Sequence, residues 1–335
     1  GPELIAAAWA RREDDALPPF VAVGGPGLLA EAAARRGLRI PIAEIYHPAE
    51  AIDAFAHALP VLPGIDRAYT PGTPCREGAE LALASLEEAT RLTIAGECAA
   101  LVTGPIAKAR LAEIGFVHPG QTEFVAAACG VAPDRAVMML AGPSLRTVPL
   151  TVHIPLAAVP ASLSTALIIL KAQIVALALT RDFGIAHPRL AVAALNPHAG
   201  EDGRIGHEDT AVIAPAIAAL AAAGIAATGP HPADALFAPR ARTSYDAALC
   251  MYHDQALIPL KALDFDTGVN VTLGLPIIRT SPDHGTAFAI AGTGAANPGA
   301  MIAAIRMAGA CAGRRAGLDV DDDVDDAVDF GVDDG

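Results

Sequence analysis

ALCMYHDQALIPLKALDFDTGVNVTLGLPIIRTSPDHGTAFAIAGTGAAN, residues 248–297, decides how this chain is read. Apolar runs in it end abruptly in polar groups. Residues 246–252 read as a strand that stops at His253, and Ile277-Ile278 leads straight into Arg279-Thr280-Ser281. Lys261, Asn270 and His284 stand in the same fifty residues. Charged side chains are rarely placed inside apolar runs without a partner. In α/β proteins, ligands bind just beyond strand ends. The stretch is therefore read as strand ends converging on a site, against the plainer reading of ordinary strand-to-loop transitions.

Outward from that stretch, strands alternate with helices. Residues 20–23, 38–45, 61–62, 99–102, 137–140, 147–152 and 190–195 read as strands. Helices are expected over 4–12, 28–36, 77–96, 161–180, 210–223 and 298–312, and residues 229–234 read as a loop. This alternation implies an α/β fold with a mostly parallel sheet. The pair Gly24-Gly25 completes no G-x-G-x-x-G pattern, so a Rossmann fingerprint is absent. Thr103-Gly104-Pro105-Ile106-Ala107-Lys108 reads as strand, small-residue loop and helix start. That is a plausible anion cradle, although Gly-Pro also simply ends strands.

Three of the ten histidines share a context: His153, His198 and His253 each follow an apolar strand, in TVPLTVH, LAVAALNPH and AALCMYH. Parallel strands share one edge. Three imidazoles there could hold a divalent metal with positions left open for substrate, or be three separate hydrogen-bonded histidines.

Composition narrows the function classes. At 335 residues, about two domains are expected. Hydrophobic residues are 53% of the chain but aromatics only 4%, and no run of about 18 strongly apolar residues suggests a membrane span. Five cysteines (75, 98, 129, 250 and 311) are scattered without a C-x-x-C, which points to reduced thiols and a cytoplasmic protein. The net charge is −14, and nine Asp fall within residues 319–334. With no basic stripe, nucleic acid is not an expected partner. The Asp-rich end lacks the Gly and terminal Glu of an EF-hand loop and reads as a solvated, disordered tail.

Five motifs together bring a family into view: VTGPIAKARLAEIGF (102–116), HPGQTEF (118–124), LNPHAGEDGRIGHED (195–209), GPHPADALF (229–237) and residues 251–287 of the opening stretch. The chain closely resembles the 4-hydroxythreonine-4-phosphate dehydrogenases of pyridoxal phosphate biosynthesis, over nearly everything before the tail. The resemblance implies two α/β/α domains with a cleft between them, like the isocitrate and isopropylmalate dehydrogenases. Expected bounds are 1–120 with 290–318 for the first domain and 121–289 for the second, with 319–335 the tail. It also implies a homodimer with its site at the subunit interface, a small phosphorylated substrate, NAD or NADP, and one divalent metal (Zn, Mg or Co).

By the same resemblance, His153, His198 and His253 are the metal ligands, and Gln121, Thr122, Lys261, Asn270 and Arg279 the substrate contacts. His284, Gly285, Thr286 and Ala287 match the adenosine-binding loop of isopropylmalate dehydrogenases. The implied reaction is oxidation of the substrate's C3 hydroxyl to a 3-oxo acid that decarboxylates. Asp254 and Asp246 are candidates for the general base, or equally for orienting a His ligand. Gln121 stands where family members often have His, which keeps open a same-family enzyme for phosphorylated threonate or erythronate, or for a dihydrodiol carboxylate. A metal-dependent hydrolase is the rival from another class, and a non-catalytic binding protein the weakest. The family opens with a strand and a GDPAGIGPE-type loop, whereas this sequence starts at the final GPE. A sheet short of one strand, and reduced stability, are the expectations that follow.

Overall fold

Short strands built from Ala, Val and Leu alternate with helices, as the sequence pattern implies. The computed structural model describes residues 1–68 and 70–318, so the expected acidic tail lies outside the described residues. The chain divides into two units, Gly1–Ala136 with Val269–Ala312, and Val137–Gly268 with, among the described residues, 313–318. The bounds expected from the sequence were different, with Gln121, Thr122, Asn270 and Arg279 all in the second domain. Here these four belong to the first unit.

In the first unit, β1 (Ala22–Gly24), β2 (Ile42–Glu44) and β3 (Leu59–Pro63) form a parallel sheet in the order β1-β3-β2. Trp9, Leu29, Leu59, Val61, Met301 and Ile305 form its core. Trp9 is fixed there because its indole Nε1 donates to the Phe55 carbonyl at 3.1 Å, so its one polar atom is satisfied. The same unit holds β4 (Ala100–Val102). In the second unit, β5 (Val137–Ala141) and β6 (Arg146–Pro149) form an antiparallel hairpin, followed by β7 (Arg189–Ala193), β8 (Ala226–His231) and β9 (Ala247–Cys250). The order there is β5-β6-β9-β7-β8, with β6, β9, β7 and β8 parallel. Residues 190–193 and 247–250 are at most 1% exposed, which is why they read as continuous apolar runs rather than alternating ones. The chain then returns to the first unit as β10 (Val269–Leu273) and β11 (Ile278–Pro282), an antiparallel pair. β11 also runs parallel to β4, with Arg279 opposite Leu101.

Residues 229–231, read as loop, belong to strand β8. This is an edge strand paired in parallel to β7 with one irregularity, and none of its residues is buried. Its Gly-Pro pair and lack of alternation hide it, since edge strands tolerate Pro where central ones do not. The helix Thr165–Phe183 starts later than expected, with Ser164 accepting a hydrogen bond from the Leu167 N–H at 3.1 Å, an ordinary N-cap. Among the described residues no single helix is long and apolar enough to cross a membrane.

The helix His253–Asp264 is anchored at its end. Asp264 is 7% exposed and accepts from the Ser144 N–H at 3.0 Å and the Ser144 hydroxyl at 2.9 Å, tying the helix to the β5–β6 hairpin. Hydrogen bonds to a charged acceptor are worth about 1.5–3 kcal/mol each in mutational series. Asp264→Ala is expected to lower unfolding stability by at least about 1.5 kcal/mol in urea titrations. An unmoved midpoint would show that the hairpin holds the helix by apolar contacts alone.

Candidate active site

A buried arginine organises the polar groups of the first unit. Arg279 sits in β11 after two isoleucines and is 3% exposed. Its Nη1 donates to the hydroxyls of Thr272 at 3.0 Å and Thr122 at 3.4 Å. Its Nη2 donates to the Thr103 hydroxyl at 2.8 Å and to Gln121 Oε1 at 3.0 Å. All four acceptors are neutral. No ion pair to Arg279 occurs among the described residues. Burial pushes its guanidinium down to about 10, with the charge of Glu123 opposing that shift, so it remains a cation at neutral pH.

Two polar atoms are left over. Arg279 Nε and Asn270 Oδ1 are both buried without a hydrogen-bond partner. They lie on one face of the β10–β11 pair: Asn270 is two residues from Thr272, and Thr272 touches Arg279. One orphan is a donor on a cation and the other is an acceptor. Buried polar groups are normally paired, and each costs about 1–3 kcal/mol when it is not. The arrangement is satisfied by a ligand that brings an anion to Arg279 and a donor to Asn270.

The helix Gln121–Ala128 adds to this. Its first turn carries N–H groups without intrahelical acceptors, beside Thr122 and Gln121. The loop after β4, read as an anion cradle, meets the 118–123 loop. A Cβ at Gly120 would come within 3.0 Å of Glu123 Oε2 and 3.3 Å of Lys108 Nζ. Gln121 is engaged at both ends, because its Nε2 also donates to the Gly104 carbonyl at 3.0 Å. Thr272 was missed by sequence reasoning. The signal was present, since it sits at the same-face spacing from Asn270, but a Thr in a strand is unremarkable by propensity.

In the second unit, the strands β6, β9 and β7 are parallel neighbours, so their carboxyl ends share an edge. His153 and His253 come together beyond it, their ring centroids 5.8 Å apart. Two imidazole nitrogens bound to one ion at about 2.0–2.1 Å put the ring centroids no more than roughly 6 Å apart, so this pair fits one metal. His253 Nδ1 is hydrogen-bonded to Asp254 at 2.7 Å, which leaves Nε2 for a ligand bond. Among the described residues no three His, Cys, Asp or Glu side chains gather at ion-binding distance, so His198 is not with the pair. It stands on a run of left-handed residues, His198 to Asp202, with φ between 44° and 79°. Non-glycine residues pay about 1–2 kcal/mol each for that conformation. Fully buried Asp209 holds the start of the run, accepting from the backbone N–H of Leu195 at 2.8 Å and from Asn196 Nδ2 at 2.9 Å.

The two aspartates separate. Asp254 meets His253, whereas Asp246 lies at the opposite end of β9. There Arg189 donates to it from Nη2 at 2.9 Å and from its backbone N–H at 2.7 Å. Burial raises the Asp246 pKa, but the hydrogen bonds from Arg189 outweigh it and hold the carboxyl below its ordinary range. That makes Asp246 a poor base at the His edge. Lys261 is on the same helix as His253, about 12 Å further along by helical rise. His284, Gly285 and Ala287 are exposed, and His284 Nδ1 lies 3.0 Å from the Gly285 carbonyl oxygen. Thr286 lines an apolar cavity of about 800 Å³ in the first unit, onto which the free edges of β1 and β4 also face.

Comparison with known proteins agrees with these motifs. The family model described as "Pyridoxal phosphate biosynthetic protein PdxA" matches residues 16–308. A 4-hydroxythreonine-4-phosphate dehydrogenase of Erythrobacter litoralis is 65% identical over 312 residues, covering 93% of both chains. One from Zymomonas mobilis is 54% identical over 310 residues, covering 92% of this chain and 91% of its own. The crystal structure of 4-hydroxythreonine-4-phosphate dehydrogenase from Klebsiella pneumoniae aligns with a TM-score of 0.82 at 36% identity, over 93% of this chain and 95% of that one.

Lysine in place of Arg279 keeps a charge but cannot form the planar fork. Arg279→Lys is expected to weaken binding of inorganic phosphate, followed by calorimetry, at least about tenfold, the loss of one good charge-assisted hydrogen bond. Equal affinity in the two proteins would rule out Arg279 as the anion's partner.

Proposed function

Because this chain belongs to the family of the pyridoxal phosphate biosynthetic protein PdxA, we propose that it is a dehydrogenase acting on 4-hydroxythreonine 4-phosphate. The observation that carries this is Arg279: a buried cation caged by neutral acceptors, with Nε unpartnered on the face that holds the orphan Asn270 Oδ1. A phosphorylated, hydroxylated amino acid offers the anion and the donors those atoms lack. The relatives' names favour this substrate over the sugar-acid and dihydrodiol alternatives.

The reaction is oxidation of the C3 hydroxyl, with hydride and proton leaving, to a 3-oxo acid that loses carbon dioxide as 3-amino-2-oxopropyl phosphate forms. NAD or NADP supplies the hydride acceptor, and a divalent metal supplies a Lewis acid that lowers the hydroxyl's pKa. His153 and His253 would hold the metal. The resemblance adds His198, which is not gathered with them, and nothing below depends on a third ligand. Asp254 fixes the His253 ring through Nδ1, so the Nε2 lone pair is directed outward. Arg279, with Thr122 and the first turn of its helix, binds the phosphate. Lys261 provides a second cation for phosphate or carboxylate. Asn270 accepts from a substrate hydroxyl or ammonium and orients it. Thr286, with His284, Gly285 and Ala287, is assigned to the cofactor. Ile258 and Phe265, 65% and 73% exposed, leave apolar surface on the second unit that a homodimer would bury.

The test is NADH formation from 4-phosphohydroxy-L-threonine with added divalent metal and with chelator. We expect activity with metal and none with chelator. His253→Ala should lower kcat by more than about 100-fold, beyond what loss of a supporting group costs, with an unchanged circular dichroism spectrum. Full turnover by that variant in metal-replete buffer would refute the ligand assignment.

A further inference from the structure

Gln121 is the one amide in the cage of Arg279, and both of its ends are used. Oε1 accepts from Arg279 Nη2 at 3.0 Å, and Nε2 donates to the Gly104 carbonyl at 3.0 Å. The two bonds fix which way the amide points, because neither a guanidinium nor a carbonyl tolerates the reverse. Gln121 thus bridges the turn after β4 to the strand that carries Arg279. It also opens the helix Gln121–Ala128, whose second residue, Thr122, touches the same guanidinium.

The chemistry of the cage is selective in one respect. Arg279 has five N–H donors. Four meet Thr272, Thr122, Thr103 and Gln121, and the fifth, on Nε, is unpartnered. A carboxylate in place of any of these acceptors would hold the guanidinium as firmly, but would cancel the charge an incoming anion needs. Glutamate has the same length as glutamine and would do this at position 121.

We propose that Gln121 is a positioning residue that orients the Arg279 guanidinium without placing a carboxylate on it. This rests on the reading of Arg279 as the anion-binding group. It goes further in assigning part of the anion's affinity to the neutrality of the side chain at position 121.

The test uses inorganic phosphate as the probe and the full chain, with binding followed by calorimetry and folding by circular dichroism. Gln121→Glu is expected to lower phosphate affinity at least tenfold while the protein stays folded, since the new carboxylate pairs with Arg279. A merely structural glutamine predicts lost stability instead, with affinity kept in whatever remains folded. The second variant is Gln121→His. A neutral imidazole has one donor and one acceptor, so it can replace both bonds, and phosphate affinity at pH 8 should stay within a few-fold of the parent. Below the ordinary histidine pKa of about 6.5 the ring loses its acceptor. The Arg279 bond then breaks, and through that range the variant's phosphate affinity changes with pH by more than the phosphate's own second ionisation causes in the parent. If Gln121→Glu binds phosphate as the parent does, or Gln121→His shows the parent's pH profile, the inference is overturned and the reading of Arg279 stands. If the parent itself binds no phosphate, the reading of Arg279 fails and this inference with it.

Discussion

A buried guanidinium without a carboxylate is the constraint around which the first unit is arranged. Removing a charge from water is costly unless it is paired or hydrogen-bonded throughout. Here the cost is met by four oxygens from three segments: the end of β4, the first turn of the helix Gln121–Ala128, and strand β10, all closing on β11. Those segments are far apart in sequence, so the cage exists only when β11 lies between β4 and β10. Fold and site are the same set of contacts in this unit. Any register slip of β11 would turn Arg279 to the other face and strand four acceptors at once.

Much of this was legible from the residues, and the failures have physical causes. Arg279 could be picked out because a cation directly after Ile277-Ile278 contradicts the apolar run it ends. Thr103 could be placed near a site because it opens a loop between a strand and a helix, whereas Gln121 and Thr122 were reached through the family resemblance. Thr272 could not, since its hydroxyl differs from any strand threonine only through a partner seven residues away across a hairpin. The unit bounds differ from those expected for a related reason. The return of the chain at Val269 is decided by the pairing of β11 with β4, some 180 residues upstream, and periodicity carries no information about such pairings. Strand β8 was hidden by its own edge position.

The histidines show the same division between pattern and geometry. His153, His198 and His253 all belong to the second unit, and the shared edge of parallel strands brings two of them together. What the pattern omits is the conformation of the connecting loops. His253 opens a helix directly after β9, so its position is stiff. His198 is carried on a left-handed run whose strain must be met by neighbours, and buried Asp209 meets it by binding backbone groups at the end of β7. Strain of this kind persists where surrounding structure over-determines it, which is common at functional sites.

Other arginines of the same chain show why the neutral cage is informative. Arg189 is exposed and pinned by Asp246, and Arg181 and Arg315 both close on buried Asp182. At those places the chain has used the ordinary solution, a carboxylate against the guanidinium, shared by two arginines at Asp182, and the groups are structural. At Arg279, the most deeply buried of these arginines and hence the one with most to gain from a counter-ion, that solution is absent. Acidic residues are not scarce nearby: Glu123 is two residues from Gln121 and its charge acts on Arg279, yet its carboxylate stands with Lys108 over Gly120. The chain therefore holds its costliest cation in place by hydroxyls and an amide while a carboxylate within reach is directed elsewhere. An arrangement that gave only stability would have paired the two. Leaving the charge uncompensated makes sense when the counter-ion arrives from solution, and a phosphate, with three oxygens for the fork and the helix turn beside it, matches what the cage leaves open.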